Sequence, residues 1–466
     1  MSRQVHRIFY EAMKEQRKRR NHKYKKLQVQ VKKTATSLFM IMCHHYQAFA
    51  QIVERFPKPD FQSGYTRPLL QSPEPRSQFF EYFDIFVLVT ALSLASYIAL
   101  KLRSRTKMFV LMVFSLAYFG FFRKGCICPV GSVQNVSLAL FNSGYTIPLT
   151  AIAFFALPLL FTLFFGRTFC AAVCPLGAIQ DAVVFKPTGV PSWLAHVLGM
   201  IPYLYLGLAI LFASTGAGFI ICQYDPFVGF FRFGASFNMI LLGISMLILG
   251  TVVARPYCRF LCPYGVVLNW MSRLSKSHVT ITPGECITCR LCEDSCPFGA
   301  INKPVEGIPP HRKQNLKYLA ILIIVTPVIV ASGGWMMSHM HVPLSRQHAT
   351  VALAEEIQIE NAGGTTETTE ETDAFRASGQ TEEKLFEKAG MIRNQFKTGG
   401  WFLGCFLGFI FCMKLIILTT FRRNSDYTTD TGTCFSCARC FSYCPVEQVR
   451  RGNMDPDEII KIKKSL

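Results

Sequence analysis

Seven apolar runs, near residues 84–102, 106–122, 147–165, 197–221, 237–254, 316–334 and 400–420, set the strongest limit on the fold of this 466-residue chain. Each approaches the ~20 residues that an α-helix needs to cross a bilayer. In hydrocarbon, backbone polar groups must be paired within the segment, so the runs are read as helices. Half of the residues are hydrophobic and only 17% are charged, the balance of a polytopic membrane protein with polar appendages. An eighth span, Thr36 to Val53, is marginal because it carries two His and two Gln. Its alternative is a helix lying in the interface.

Charge orients the helices. The net charge is +20, and Arg3 to Lys33 alone carries 12 Lys/Arg against two Glu. The remainder lies largely in short basic segments beside apolar runs, as the positive-inside rule requires. No helix-turn-helix or zinc-finger pattern accompanies it, so no nucleic-acid partner is expected. The first 33 residues are too polar for a cleavable signal peptide. If the cysteine module at 286–296 is cytoplasmic, the 237–254 helix runs inward and the Lys101–Lys107 loop falls inside. Residues 57–83 then fall outside, and 36–53 must cross to keep the basic N-terminus inside. The expectation is about eight transmembrane helices with both termini cytoplasmic. Residues 335–399 then face outward. They hold ten acidic residues and the low-complexity stretch GGTTETTEETD. They read as a mostly solvated excursion with one amphipathic helix around Glu382 to Phe396.

Eighteen cysteines follow spacings suited to metal or cluster ligation, not to a secreted disulfide framework. Cys286, Cys289, Cys292 and Cys296 form a C-x₂-C-x₂-C-x₃-C-P run, and Cys434, Cys437, Cys440 and Cys444 repeat it. In two-cluster ferredoxins the fourth cysteine of each run ligates the other [4Fe–4S] cube. The expected sets are therefore Cys286, Cys289, Cys292 and Cys444 for one cube, and Cys296, Cys434, Cys437 and Cys440 for the other. The alternative, paired zinc sites, usually takes C-x₂-C knuckles set well apart. The ferredoxin is thus split, with a helical hairpin threaded through it. The fold class is an α-helical polytopic membrane protein with a split bacterial-type 2[4Fe–4S] ferredoxin module (α+β). The segments are 1–34, a polybasic N-terminus; 35–255, a six-helix membrane core; 256–315, ferredoxin half one; 316–420, the hairpin with its outer loop; and 421–466, ferredoxin half two.

The core holds further cysteines. RTFCAAVCPLGAIQD and RPYCRFLCPYGVVL read as an internal repeat of Arg, aromatic, C-x₃-C-P and Gly, each after an apolar run. Cys170, Cys174, Cys258 and Cys262 are a candidate inner metal or iron–sulfur site, with reduced structural cysteines or a redox disulfide as alternatives. FFRKGCICPVGSVQN supplies Cys126 and Cys128, and ICQYDPFVGFFRFG supplies Cys222. These three are a candidate outer site that binds metal, forms a disulfide or merely packs. Cys43, Cys405 and Cys412 lie within apolar runs and read as small buried residues. His44 and His45, and His339 and His341, are weaker candidates for metal or haem, against a polar–aromatic collar at the membrane edge.

With these residues in view, the chain resembles the membrane and ferredoxin part of the NosR/NirI family, and more distantly NapH-type proteins. FRKGCICPVGSVQN, QYDPFVGFFRFG, the run from Arg255 to Ile301, TVALAEEI and CFSYCP occur in order over roughly 80–450. The resemblance implies a bacterial inner membrane and a periplasmic nitrous oxide reductase, or its maturation proteins, as partner. Family members typically carry an outer flavinylated FMN domain before the helices, and 57–83 is too short for one. STGAG at Ser214 lies within a helix and lacks the acceptor threonine. FMN is therefore not expected on this chain, and a separate flavin-bearing subunit is the alternative source. The expected role is electron transfer without independent bond-making catalysis. The alternatives are a NapH-like quinol dehydrogenase for nitrate reduction, and a redox-sensing or assembly protein.

Overall fold

The computed structural model describes residues 77–125, 128–185, 187–234, 236–281, 286–304, 312–363, 368–420 and 426–465. The candidate span at 36–53, with Cys43, His44 and His45, lies outside them, as does Cys126. By contact the chain divides into two units, Glu74–Glu447 and Met1–Pro73 with Gln448–Leu466. The described part of the second unit ends in a helix, Pro456–Ser465.

The first unit is built on helices α1 (Gln78–Tyr97), α2 (Arg105–Ser115), α3 (Pro129–Phe141), α4 (Leu149–Phe165), α5 (Pro175–Val183), α6 (Ile201–Ser214), α7 (Phe237–Val252), α8 (Pro263–Arg273), α9 (Arg312–His339), α10 (Ala349–Asn361), α11 (Glu370–Ala377) and α12 (Glu382–Thr419). Wider π-helical turns extend α1 to Leu102 and α2 to Phe122. Five described segments are long and apolar enough to cross a membrane: Gln78–Leu102, Arg105–Phe122, Ser192–Ser214, Lys317–His339 and Glu382–Thr419. The apolar helices α4 and α7 are shorter, at 17 and 16 residues. At 1.5 Å per residue they rise roughly 25 Å, short of the ~30 Å hydrocarbon thickness. α4 stops at Gly166, where φ is positive (71°), and α7 stops at Val252, ahead of an extended Val253 and a positive φ at Arg255 (51°). The cysteine-bearing loops begin at these two breaks.

The hairpin of α9 and α12 is held by backbone-to-backbone approach. Gly400, Gly404 and Gly408 recur every four residues on one face of α12, the spacing that lets two helices touch without side chains between them. A Cβ on Gly404 would stand only 2.0 Å from the Gly333 carbonyl oxygen, and one on Gly400 only 2.8 Å from that of Met337. Cys412 is fully buried, as expected of a small apolar residue.

The 335–399 segment departs from the expectation of a mostly solvated loop. It folds into α10, α11 and the first turns of α12. Val351, Ala354, Ile357, Phe375, Leu385, Ala389, Ile392 and Phe396 join Leu211 and Phe212 of α6 in a hydrophobic cluster. The apolar stripe, at helical spacing, was masked by the acidic composition around it. Two of the acidic side chains are taken up by ion pairs, Glu355 on Arg346 and Arg393 (both 2.8 Å) and Glu360 on Arg376 (2.6 Å).

Candidate iron–sulfur and thiolate sites

The two cysteine runs expected to form the split ferredoxin meet in space. Strand β1 (Ile301–Asn302) pairs antiparallel with β2 (Thr428–Thr429), Ile301 opposite Thr429. Asp430 N–H extends the ladder to the Ala300 carbonyl at 2.8 Å, and Phe298 packs on Phe435 with ring centroids 4.6 Å apart. The equal cysteine spacings produce equal backbones. Thr288 and Arg290 in the first half, and Ser436 and Ala438 in the second, all adopt positive φ (53°, 62°, 51° and 59°). Non-glycine residues take this conformation at a cost. Alternating hand turns successive N–H groups to one side, the concavity that receives an anionic centre.

Cys286, Cys289, Cys292 and Cys444 line one cavity, closed by Ile281, Tyr427 and Val446. These are the four ligands assigned to one cube from spacing. Burial pushes the Cys292 thiol up to about 12, and the neighbouring Cys289, Cys444 and Cys286 add to the rise. Burial likewise pushes Cys434 up to about 12 against a Ser436 N–H that lowers it, with Cys437 and Cys296 adding to the rise. Packing thiols this way disfavours free thiolates, and cluster iron reverses it, since a coordinating thiol is deprotonated outright. The four cysteines ring one cavity, the arrangement that a cube held by both runs requires.

The C-x₃-C-P repeat folds as a reciprocal pair. Cys174 and Cys262 each precede a helix, α5 and α8, whose first residue is proline, with φ preset for the turn. The matched arginines cross over. A Cβ on Gly177 would lie 3.4 Å from Arg255 Nη1, and one on Gly265 would lie 3.5 Å from Arg167 Nη2. Arg255 is fully buried and donates to the carbonyls of Cys170 and Ala171. Arg167 Nη1 donates to the Gly432 carbonyl at 2.9 Å, and its guanidinium stacks 4.3 Å over Phe435, tying the repeat to the second ferredoxin half. Gln180 Nε2 donates to Cys258 Sγ at 3.3 Å.

Asp181 gathers the pieces. Its buried carboxylate pairs with Arg255 (3.3 Å), with Arg439 (3.0 Å), which lies between Cys437 and Cys440, and with Arg105. Burial alone would raise this carboxyl, but the Arg255, Arg105 and Arg439 guanidiniums more than offset it and hold it well below the usual carboxylate range. The repeat already displayed Arg167 and Arg255 in sequence. Gln180 and Asp181 were missed, because nothing in GAIQD marks them apart from the geometry.

At the outer candidate site, Cys128 and Cys222 come together. A Cβ on Gly131 would sit 3.2 Å from Cys222 Sγ. Burial, then Asp225, pushes the Cys128 thiol up to about 12 against Gly131 and Val130 N–H groups, and Cys222 adds to the rise. Among the described residues, His339 and His341 are not brought together with a third ligand. Each Nδ1 lies 2.8 Å from a carbonyl of its own helix end, Trp335 O and Ser338 O, as the collar alternative expects.

Comparison with known proteins agrees with the cysteine reading. A 4Fe-4S binding domain family matches residues 147–187 and 235–282, which hold the C-x₃-C-P repeat, and a second 4Fe-4S binding domain family matches 279–302. Protein NirI of Paracoccus denitrificans is 33% identical over 162 residues, 32% of this chain and 24% of NirI. The putative electron transport protein YccM of Escherichia coli is 24% identical over 187 residues, 36% of this chain and 52% of YccM. Regulatory protein NosR of Pseudomonas aeruginosa is 25% identical over 219 residues, 41% of this chain and 29% of NosR. The matches thus span from about a quarter to about half of these relatives. No solved structure matches. The chain is a membrane protein with 4Fe-4S binding domains, similar over part of its length to NirI and NosR.

Proposed function

We propose that the chain carries electrons between the cytoplasmic face and the outer face of a bacterial inner membrane, in support of a periplasmic nitrous oxide reductase. The eight-span topology with both termini inside belongs to this reading. Cys286, Cys289, Cys292 and Cys444 hold one [4Fe–4S] cube, and Cys296, Cys434, Cys437 and Cys440 hold the second. Cys170, Cys174, Cys258 and Cys262 hold a further centre between the cubes and the membrane core. The observation that carries the reading is the cavity lined by three cysteines of one half and one of the other, the crossed ligation that the spacing demands. The arginines on Asp181 support the sequence of sites, since Arg255 beside Cys170 and Arg439 between Cys437 and Cys440 meet on one carboxylate. The clusters supply one-electron chemistry, and the chain supplies placement, burial and hydrogen bonds that set potential.

Similarity to the putative electron transport protein YccM favours electron transfer as the shared role over sensing. A NapH-like quinol dehydrogenase differs from the leading reading in its acceptor. The test uses full-length protein in vesicles. Reduction from the cytoplasmic side should be followed by reoxidation at a rate matching turnover of added nitrous oxide reductase. Reoxidation only by a nitrate-reducing partner would select the second reading, and clusters that never turn over would reject both. Metal content of the four single Cys→Ser variants at 170, 174, 258 and 262 tests the inner centre. Equal losses are expected, because a shared centre fails as a unit, and unchanged iron in all four would remove it.

A further inference from the structure

Two buried glutamines make the same contact in two different helices. Helix α3 opens as Cys128-Pro129-Val130-Gly131-Ser132-Val133-Gln134, and α5 as Cys174-Pro175-Leu176-Gly177-Ala178-Ile179-Gln180. In each, the cysteine precedes the first turn and proline begins it. In each, the glycine turns a bare face to a second cysteine. The Cβ built on Gly131 lies 3.2 Å from Cys222 Sγ, and the one on Gly177 lies 3.7 Å from Cys258 Sγ. In each, the glutamine one turn further is fully buried. Its Oε1 accepts the backbone N–H of the residue just before that second cysteine, from Ile221 at 3.0 Å and from Tyr257 at 3.0 Å. Cys128 therefore matches Cys174, Cys222 matches Cys258, and Gln134 matches Gln180. Asp225-Pro226 even follows Cys222 as Cys262-Pro263 follows Cys258, one residue closer.

The match breaks at one atom. Gln180 Nε2 is satisfied, with the Leu176 carbonyl at 2.7 Å and Cys258 Sγ at 3.3 Å. Gln134 Nε2 is buried with no hydrogen-bond partner. A buried amide N–H without an acceptor is costly, and native chains seldom keep one idle. Flipping the carboxamide does not help, because it would set the amide nitrogen against the Ile221 N–H. The group is anchored by its oxygen, and in α5 the same anchoring directs the nitrogen to a cysteine sulfur. The Asp225 carboxylate nearby is committed to the N–H groups of Phe227 (2.8 Å) and Val228 (3.2 Å) and to the Tyr257 hydroxyl (2.9 Å).

We propose that Cys128 and Cys222 ligate an iron centre laid out as a second copy of the inner site, with Gln134 as the positioning residue whose Nε2–H serves the ligand sulfur. Thiolate ligands select soft, thiophilic metals, iron among them. An N–H donated to a ligand sulfur stabilises the more negatively charged, reduced state, and so raises the potential of the centre. The proposal rests on the reading of the chain as an electron carrier, and the experiment separates the two.

Full-length protein is purified anaerobically, iron and acid-labile sulfide are measured per chain, and potentials are read by EPR-monitored redox titration. Cys128→Ser and Cys222→Ser should lose the same share of iron while the ferredoxin signals persist. Gln134→Leu should keep its iron but move one midpoint to lower potential, and Gln180→Leu should leave that midpoint in place. Leucine is the residue that α8 carries at the matching position, Leu268, so the glutamine variant carries the test alone should a cysteine variant fail to accumulate. Unchanged iron in both cysteine variants overturns the site, as does a Gln134→Leu titration superimposable on wild type. Wild-type protein without ferredoxin signals that still loses iron in Cys222→Ser would break the electron-carrier reading and support this site.

Discussion

Asp181→Asn tests how the clusters are seated on the membrane core. The substitution keeps the shape of the side chain and removes one charge from a group of three guanidiniums. Arg255 is fully buried and would be left without its counter-ion. Breaking a buried pair in this way costs about 3–5 kcal/mol. Arg105 and Arg439 are about a fifth exposed, at 18% and 20%, so water takes over part of their pairing. Each adds ~1 kcal/mol or less. The expected loss is therefore about 3 kcal/mol or more, dominated by Arg255. Asp181→Asn with Arg255→Met should recover part of it, because no uncompensated charge remains. Recovery stays incomplete, since the Cys170 and Ala171 carbonyls lose their donor. The sign with pH follows from the depressed carboxyl. Its stabilisation is fully present above the unfolded carboxylate pKa, near 4, and is lost only as pH falls through the lower folded value. The wild-type and Asn proteins should thus differ by a constant amount from about pH 5 to about pH 8. The assay is denaturant unfolding of the full chain in detergent, beside EPR of the reduced clusters. Signals of the cube served by Cys434, Cys437 and Cys440 should broaden or fall first, because Arg439 lies in that loop. A loss below about 1 kcal/mol, or equal damage to both cubes, would refute the reasoning.

Three further outcomes are expected. Gly404→Leu should separate α9 from α12 and lower the thermal midpoint of the full chain, whereas Gly390→Ala, with open space around it, should not; equal midpoints would deny the glycine contact. Cys296→Ala should remove the cube whose other ligands are Cys434, Cys437 and Cys440 and leave the Cys286 cube intact, read by iron content and EPR. Cysteine labels at Ser378 and Ser425 should react from opposite sides of sealed vesicles, and labelling from one side only would overturn the topology.

Much of the architecture was legible because hydrophobic length and cysteine spacing are direct physical requirements. The seven apolar runs correspond to the five long segments and to α4 and α7. The Cys286–Cys444 cavity was implied by x₂-x₂-x₃ spacing alone. The folding of 335–399 was not legible from composition, because its apolar stripe is interleaved with acidic residues. Glu355 and Glu360 pair with Arg346, Arg393 and Arg376, while Val351, Ala354 and Ile357 of the same helix turn inward. Asp181, Gln134 and Gln180 were invisible for a different reason. A single polar residue in an apolar helix has no local signature, and its meaning depends on partners as far away as Arg439.

The crossed cavity also constrains the order of events in synthesis. Cys286, Cys289 and Cys292 leave the ribosome before α9 and α12, and Cys444 leaves after them. A cube seated on the first three alone has an open corner, exposed to solvent and to oxidation. Under the proposed ligation, the fourth thiolate arrives only once α9 and α12 have brought Cys444 back to the first three cysteines. A hairpin that failed to return would, under the same ligation, leave Cys444 apart from the three cysteines it meets in the folded chain.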